Sequence, residues 1–277
     1  MNILYCGDRN IADGLMISAM SLLRQVPEPL HIYILTMSQA GCTPLPEALA
    51  RALEQRVCPG GGSVTLLDAS DLFMREPPKA NLGTRFTPCC MLRLYADLLP
   101  QIPDKILYLD TDVICRMDCS DFYGQDMGEN EVAGAADYYG SWFFRRNPLR
   151  RDYLNSGVLL LNMKQIRKTG LFQKCRRRCA EKKMFMPDQS AINKLALGKK
   201  ILPRRYNEQR RLHPDTVFQH FTTSFRFFPY IHKVTVKPWQ PDRMHEVLKL
   251  HEYDDLLEEF RKWKQTLPPS LFQKERG

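Results

Sequence analysis

The sequence has no long apolar run. A helix that crosses a bilayer needs roughly 20 mostly apolar residues, and the uninterrupted apolar stretches here are strand-sized, as at Val158 to Leu161. A basic-then-apolar leader is also missing, because MNILYCGDRN reaches an acid by its eighth residue. A cytoplasmic chain is expected. Nine cysteines are present, an odd number without metal-finger spacing. Cys115 with Cys119, and Cys175 with Cys179, each give half of a zinc pattern that no histidine or second pair completes. Scattered reduced thiols fit that usage and that compartment. Internal repeats and low-complexity linkers are absent as well. Length alone, 277 residues, would allow two domains of about 150 residues each, but α/β folds of this size often form one, and one is the expectation.

Charge is plentiful but divided. The net charge of +9 conceals 10 Lys+Arg against 18 Asp+Glu in residues 1–140, and 30 against 13 in residues 141–277. Basic clusters recur at Arg145/Arg146, Arg150/Arg151, Arg176 to Arg178, Lys182/Lys183, Lys199/Lys200, Arg204/Arg205 and Arg210/Arg211. Any one of them is explained by a solvated face. Together they favour an anionic surface or substrate.

Most of the chemistry is concentrated in Ile106 to Val113, ILYLDTDV. The apolar run predicts a buried strand, and side chains alternate along an extended chain, so Asp110 and Asp112 should share one face. Two carboxylates there are costly without a cation between them. A hard divalent ion with oxygen ligands, Mg²⁺ or Mn²⁺, answers that need.

Before this motif, strand-like runs at Asn2 to Cys6, His31 to Leu35 and Val64 to Leu67 alternate with helical patterns from Ala12 to Leu23 and from Pro46 to Arg56. That alternation predicts a mostly parallel sheet, in which ligands bind beyond the carboxyl ends of the strands. Asp8 and Asn10 lie at such an end. Asp8 is either a helix cap or a carboxylate that recognises a base or ribose. Arg93 lies on a helical pattern that starts at Pro88. It either snorkels or is aimed at the acidic pair or a sugar phosphate.

After the motif, Val132 to Ala136 reads as a strand and Asp137 to Asp152 as a long functional loop. Asn155-Ser156-Gly157 opens another apolar strand, either as a turn or as an amide that holds sugar hydroxyls. Gly170 to Lys183 reads as a basic helix. Pro187 to Ser190 should start a helix with Asp188 as its cap. His220 and His232 each follow apolar stretches, and Lys237-Pro238-Trp239 forms a cation and ring cluster. From Pro241 onward one interrupted or two consecutive amphipathic helices are expected.

Taken together, these residues resemble glycosyltransferase family 8, the retaining enzymes that include bacterial lipopolysaccharide galactosyl- and glucosyltransferases and glycogenin. The resemblance rests on six ordered parts: the first strand with Asp8 and Asn10; Arg93 in RLYADLLP; YLDTDV; YLNSGVLLLN; Asp188-Gln189 before a helix; and a histidine followed at a distance by KPW. It implies a GT-A fold, Rossmann-like, with a mostly parallel mixed sheet flanked by helices. The catalytic domain would span residues 1–240, with residues 241–277 as a helical extension packed on it. The implied donor is a UDP-sugar, UDP-glucose or UDP-galactose, with Mn²⁺ (or Mg²⁺) as cofactor. The acceptor would be a glycan or lipid-linked glycan, with peripheral contact to an anionic membrane and no nucleic acid partner. Carried over by position, Asp110 and Asp112 would bind the metal and the donor ribose or diphosphate, Thr111 between them would contact the donor, and Asp8 and Asn10 would hold the uridine. Arg93, Asn155, Asp188 and Gln189 would surround the donor sugar, with Asp188 and Gln189 as the catalytic candidates, and Lys237 would meet the diphosphate. The third metal ligand would be a histidine shortly before KPW. His220-Phe221-Thr222 has the local pattern but lies far upstream, whereas His232 has nearly the right distance but is followed by Lys233. We favour His220, with an insertion after it, and keep His232 as the alternative.

Two other classes are weighed against this one. A haloacid dehalogenase-type phosphatase also places an Asp-x-Asp after an apolar strand, but that motif normally opens the fold, and here three strands precede it. A non-catalytic nucleotide-sugar or glycan-binding protein would share the fold, yet decay of an enzyme commonly removes aspartates such as Asp110, Asp112 and Asp188.

Overall fold

The computed structural model describes residues 1–39, 41–82, 88–138, 152–226 and 232–272. Its strands are β1 (Asn2–Cys6), β2 (His31–Thr36), β3 (Ser63–Asp68), β4 (Lys105–Leu109), β5 (Val113–Cys115), β6 (Val132–Ala136), β7 (Leu154–Asn162), β8 (Lys199–Leu202), β9 (Phe218–His220), β10 (Ser224–Arg226) and β11 (His232–Val234). Seven of them form one sheet in the order β3-β2-β1-β4-β7-β6-β8. The central strands are apolar on both faces, with Ile3, Leu4 and Tyr5 of β1 and Ile106 and Leu107 of β4 fully buried. That is the pattern of a sheet covered on both sides, and two apolar clusters, one on each face, fill those sides.

The topology places the site. β1 pairs in parallel with β2 on one side and β4 on the other. The chain steps outward from β1 to β2 and β3, then returns past β1 to β4, so the direction of winding reverses between β1 and β4. Open α/β sheets bind ligands in the crevice at such a reversal. β7 is antiparallel to both β4 and β6, which brings its amino end, rather than its carboxyl end, to the same rim.

Several sequence expectations are refined by this arrangement. The run Ile106 to Val113 is not one strand: β4 stops at Leu109, and β5 belongs to a separate two-stranded sheet with β9. Pro88–Leu98 is helical, as the pattern predicts, but of the tighter 3-10 type. Asn155, Ser156 and Gly157 lie inside β7 rather than in a turn. The basic stretch forms the helix Leu171–Glu181, separated from the preceding helix Met163–Thr169 by Gly170 at φ +68°, a left-handed conformation that glycine adopts without strain. Within it Arg176 is not a surface charge. It is buried between Glu76 and Asp97, at 2.6 Å from each.

Beyond residue 240, Pro241–Arg243 runs into the turn Met244–Leu248, and a second helix spans Asp254–Gln265. Leu256, Leu257 and Phe260 of that second helix join the cluster that also holds Leu15 and Leu22 of the helix Ala12–Gln25. Each such burial contributes roughly 1.5–3 kcal/mol. The half-exposed pair Arg24–Glu259 adds about 0.2–1 kcal/mol, so apolar packing dominates this contact. The loop expected from Asp137 to Asp152 falls, between residues 139 and 151, outside the described residues. Among the described residues no helix is long and apolar enough to cross a membrane. All nine cysteines are free.

Candidate active site

The two aspartates converge through a turn, not through a pleat. Val113 N–H donates to Asp110 O at 3.1 Å, closing a tight turn over Asp110, Thr111 and Asp112, and Asp110 N–H is tied to Gly157 O on β7 at 2.8 Å. Their cost is met first by the protein itself. Asp110 Oδ1 accepts from the Tyr108 hydroxyl at 2.6 Å and from Arg93 Nη2 at 3.0 Å. Asp112 Oδ2 pairs with Lys237 Nζ. Burial raises the Asp112 carboxyl, but Lys237 and then His220 outweigh it and hold it well below the usual range. The expectation that only a bound ion could relieve the pair is therefore corrected: Arg93 and Lys237 take one oxygen of each carboxylate.

The other oxygens face a third group. His220 ends β9, and its backbone lies opposite Val113 of β5. Its Nε2 stands 3.2 Å from Asp112 Oδ1 and 3.6 Å from Asp110 Oδ2. Ligand atoms from Asp110, Asp112 and His220 lie within 4.8 Å of one another. Adjacent ligands of an octahedral ion with bonds of about 2.1 Å are about 3 Å apart, so two carboxylate oxygens and one imidazole nitrogen fit a divalent cation. His232 lies on β11, opposite Arg226 of β10. Two further groups of possible ligands occur among the described residues, Asp8 with Cys42 and Cys89, and His245 with His251 and Asp254, but neither joins the acidic pair.

Gly157 explains how the ring gets there. A Cβ at that position would lie 2.1 Å from His220 Cε1 and within 2.8 Å of both ring nitrogens, so the imidazole rests directly on the glycine. Overpacking of this kind costs about 1–3 kcal/mol. Gly157→Ala should therefore weaken Mn²⁺ binding by about tenfold while leaving the fold intact. Isothermal titration would read this, and wild-type affinity would show that the ring yields freely. Gly14 serves the neighbouring wall in the same way, since a Cβ there would meet Thr111 O at 2.6 Å and the Trp239 ring at 2.7 Å.

Arg93 does not snorkel. Its side chain is 3% exposed and bridges Asp110 at 3.0 Å and Asp188 at 3.2 Å. It also donates to Cys90 O and Ser156 O, and its guanidinium lies 3.8 Å from the Tyr108 ring centroid. Burial alone would lower its pKa, but Tyr108, Asp188 and Asp110 push it up. Burial raises the carboxyl of Asp188, against the pull of Arg93. The helix Pro187–Leu195 starts from Met186, so Asp188 is not its cap, and its side chain turns inward to Arg93.

The model of the family described as glycosyl transferase family 8 matches residues 2–242. The chain belongs to that family. It is 25% identical over 190 residues to a lipopolysaccharide 1,2-glucosyltransferase of Escherichia coli, covering 55% of this chain and 56% of that protein. Over 92 residues it is 30% identical to glucoside xylosyltransferase 1 of Mus musculus, covering 30% of this chain and 23% of the relative. The chain thus spans little more than half of the first curated relative it matches, and less of the second. Among solved structures, the galactosyltransferase LgtC in complex with donor and acceptor sugar analogs superposes with a TM-score of 0.68 at 20% identity, covering 96% of this chain and 100% of LgtC. The glycosyltransferase GlyE of Streptococcus pneumoniae gives 0.65 at 20% identity, covering 95% and 63%. At such identities the likeness speaks to the fold, which is GT-A.

Membership in family 8, an enzyme family, sets aside the phosphatase alternative, as does the position of the acidic pair after the fourth strand. It also gives context to the remaining residues of this family 8 chain. Asp8 caps the turn after β1, its two oxygens accepting from Asn10 N and Nδ2 at 2.9 and 3.2 Å. The helix-cap reading thus holds for the short helix Arg9–Ile11. Gln189 is buried, with Oε1 accepting from Ser156 N at 2.9 Å and Nε2 donating to Asp137 Oδ2 at 3.1 Å. Asn155 reaches the same Asp137 oxygen at 2.8 Å. Two participants were missed as site residues, Asp137 and Asn207. Asp137 follows β6 at the rim, where the sequence reads it as the first residue of a loop. Asn207 is fully buried but sits in RRYNEQRR, a stretch whose charge reads as surface.

Proposed function

We propose that the chain is a retaining, Mn²⁺-dependent hexosyltransferase that moves glucose or galactose from a UDP-sugar to a glycan or lipid-linked glycan. The observation that carries this is the convergence of Asp110, Asp112 and His220 at the point where the sheet reverses its winding, with Lys237 bound to the same Asp112. A divalent ion held there would supply positive charge to a departing diphosphate. The imidazole in the donor set favours Mn²⁺ over the all-oxygen preference of Mg²⁺. Lys237 brings a second positive charge to the same place and would stabilise charge as it develops on the leaving group. Asp8 and Asn10, at the end of the adjacent strand β1, would recognise the uridine.

The route to retention follows from what the buried acids already do. A covalent route needs a carboxylate beside the anomeric carbon, and Asp188 is the candidate. Its carboxylate is engaged by Arg93 at 3.2 Å, which dampens its nucleophilicity. Gln189 is a neutral amide held by Ser156 and Asp137. Displacement on the same face, with no glycosyl-enzyme bond, is the reading we favour. UDP release measured with Mn²⁺ and a panel of UDP-sugars should show turnover, or slow hydrolysis, with UDP-glucose or UDP-galactose and none after chelation. Silence across the panel, with intact UDP-sugar binding, would favour the non-catalytic binding protein instead.

A further inference from the structure

We propose that Asn207 is a positioning residue that fixes the tautomer of His220, presenting the lone pair of Nε2 to the metal. The inference rests on the metal role proposed for His220, but its logic lies in hydrogen-bond direction and needs no ion. Asp137 starts the chain of contacts. A carboxylate oxygen only accepts, so the atom of Asn155 that lies 2.8 Å from Asp137 Oδ2 is its amide nitrogen. A second contact fixes the same orientation: Gly157 N–H only donates, and it lies 3.0 Å from Asn155 Oδ1. Asn155 therefore turns its oxygen toward Asn207, which must offer Nδ2, at 2.9 Å. That leaves Asn207 Oδ1 facing His220 Nδ1 at 3.2 Å. An amide oxygen only accepts, so Nδ1 carries the proton.

The consequence falls on the opposite side of the ring. With Nδ1 protonated, a neutral His220 turns the unshared pair of Nε2 toward Asp112 Oδ1 and Asp110 Oδ2, themselves acceptors. Three converging lone pairs are what a divalent cation resolves. Partners of this kind, which hold the second nitrogen of a ligating histidine, are worth about 10–100-fold in metal affinity. Every member of the chain is nearly or fully buried, with Asn207 at 0% and His220, Asp137 and Asn155 at 5–7% exposure, so water does not compete for these bonds. The same Asp137 oxygen also holds Gln189. The metal histidine and the candidate transition-state amide thus share one anchor.

The test reads tautomer and affinity separately. Nitrogen-15 spectra of histidine-labelled, metal-free protein, recorded where the His220 signals show a neutral ring, should show it protonated at Nδ1 and bare at Nε2. Asn207→Ala should give a mixture of tautomers and weaken Mn²⁺ binding by about 10–100-fold. Asn207→Asp loses the donor to Asn155 Oδ1 but keeps an acceptor against Nδ1, and should keep the tautomer. A wild-type ring protonated at Nε2, or an Asn207→Ala protein with unchanged spectra and affinity, overturns the inference. If Asn207→Ala does not fold, the wild-type spectrum and Asn207→Asp still decide it. Absence of Mn²⁺ binding in the wild-type protein would instead reject the metal role, while the Nδ1 signature would still stand or fall by itself.

Discussion

Asp112→Asn should abolish sugar transfer. The substitution keeps the shape of the side chain and removes the charge that faces both His220 and Lys237, at 3.2 Å from His220 Nε2. The donor set of a divalent ion loses one of its two carboxylates, and Lys237 loses its charged partner while keeping the carbonyl of Phe221, at 3.0 Å. Metal-assisted charge stabilisation contributes several kcal/mol to a reaction of this type. Each 1.36 kcal/mol is tenfold in rate, so turnover should fall by at least about a thousandfold, with Mn²⁺ affinity falling in parallel. The fold should survive, because Lys237 is a quarter exposed and can return to water. UDP release and calorimetric Mn²⁺ titration on the same preparation check both parts. Turnover near the wild-type rate would sink the proposed function.

Arg93→Met should cost the most stability. The guanidinium sits between two carboxylates, and removing it leaves Asp188, 7% exposed, without its cation, whereas Asp110 at 31% can recover some hydration. Breaking a buried pair from one side costs about 3–5 kcal/mol, since the remaining charge is stranded. Methionine fills much of the volume, so the loss measures charge rather than a cavity. The companion Arg93→Met/Asp188→Asn protein should recover a large part of that loss, because the stranded charge is gone, and a double-mutant cycle isolates the coupling. Urea unfolding of the four proteins provides the numbers. A loss below about 1.5 kcal/mol for Arg93→Met, with no recovery in the double variant, would mean that the buried acids do not depend on Arg93.

What the sequence made legible follows from how local each signal is. β1, β2 and β3 are short apolar runs bounded by polar turns, and their parallel pairing follows from their alternation with helices, whereas their order in the sheet does not. The turn at Asp110 to Asp112 is harder to see, because apolar residues continue on both sides of it and the pattern does not mark where β4 leaves the main sheet. The two carboxylates still meet, but through the bond from Val113 to Asp110 rather than through strand alternation. Asp188 read as a cap because its neighbours are those of a helix start. Only the packing of Pro88–Leu98 against that helix shows that it pairs with Arg93. The chain through Asp137, Asn155, Asn207 and His220 joins residues 18, 52 and 13 positions apart. No local pattern encodes such separations. They arise from sheet order and from the three-residue strand β9, too short to be read from periodicity.

The reversed direction of β7 has a consequence for how such a protein can change over evolution. β6 ends and β7 begins at the rim that carries Asp110, Asp112 and His220, and the base of the intervening segment is clasped by Asp137 N–H to Tyr153 O at 2.8 Å. Residues can be added or lost between those two points without shifting any strand pairing, and lengthening a loop costs only about 0.6 kcal/mol per doubling. The strand pairing on either side of Asp137 and Tyr153 is thus insulated from changes of length between them, so this point of the rim can vary while the register of β6 and β7 stays fixed.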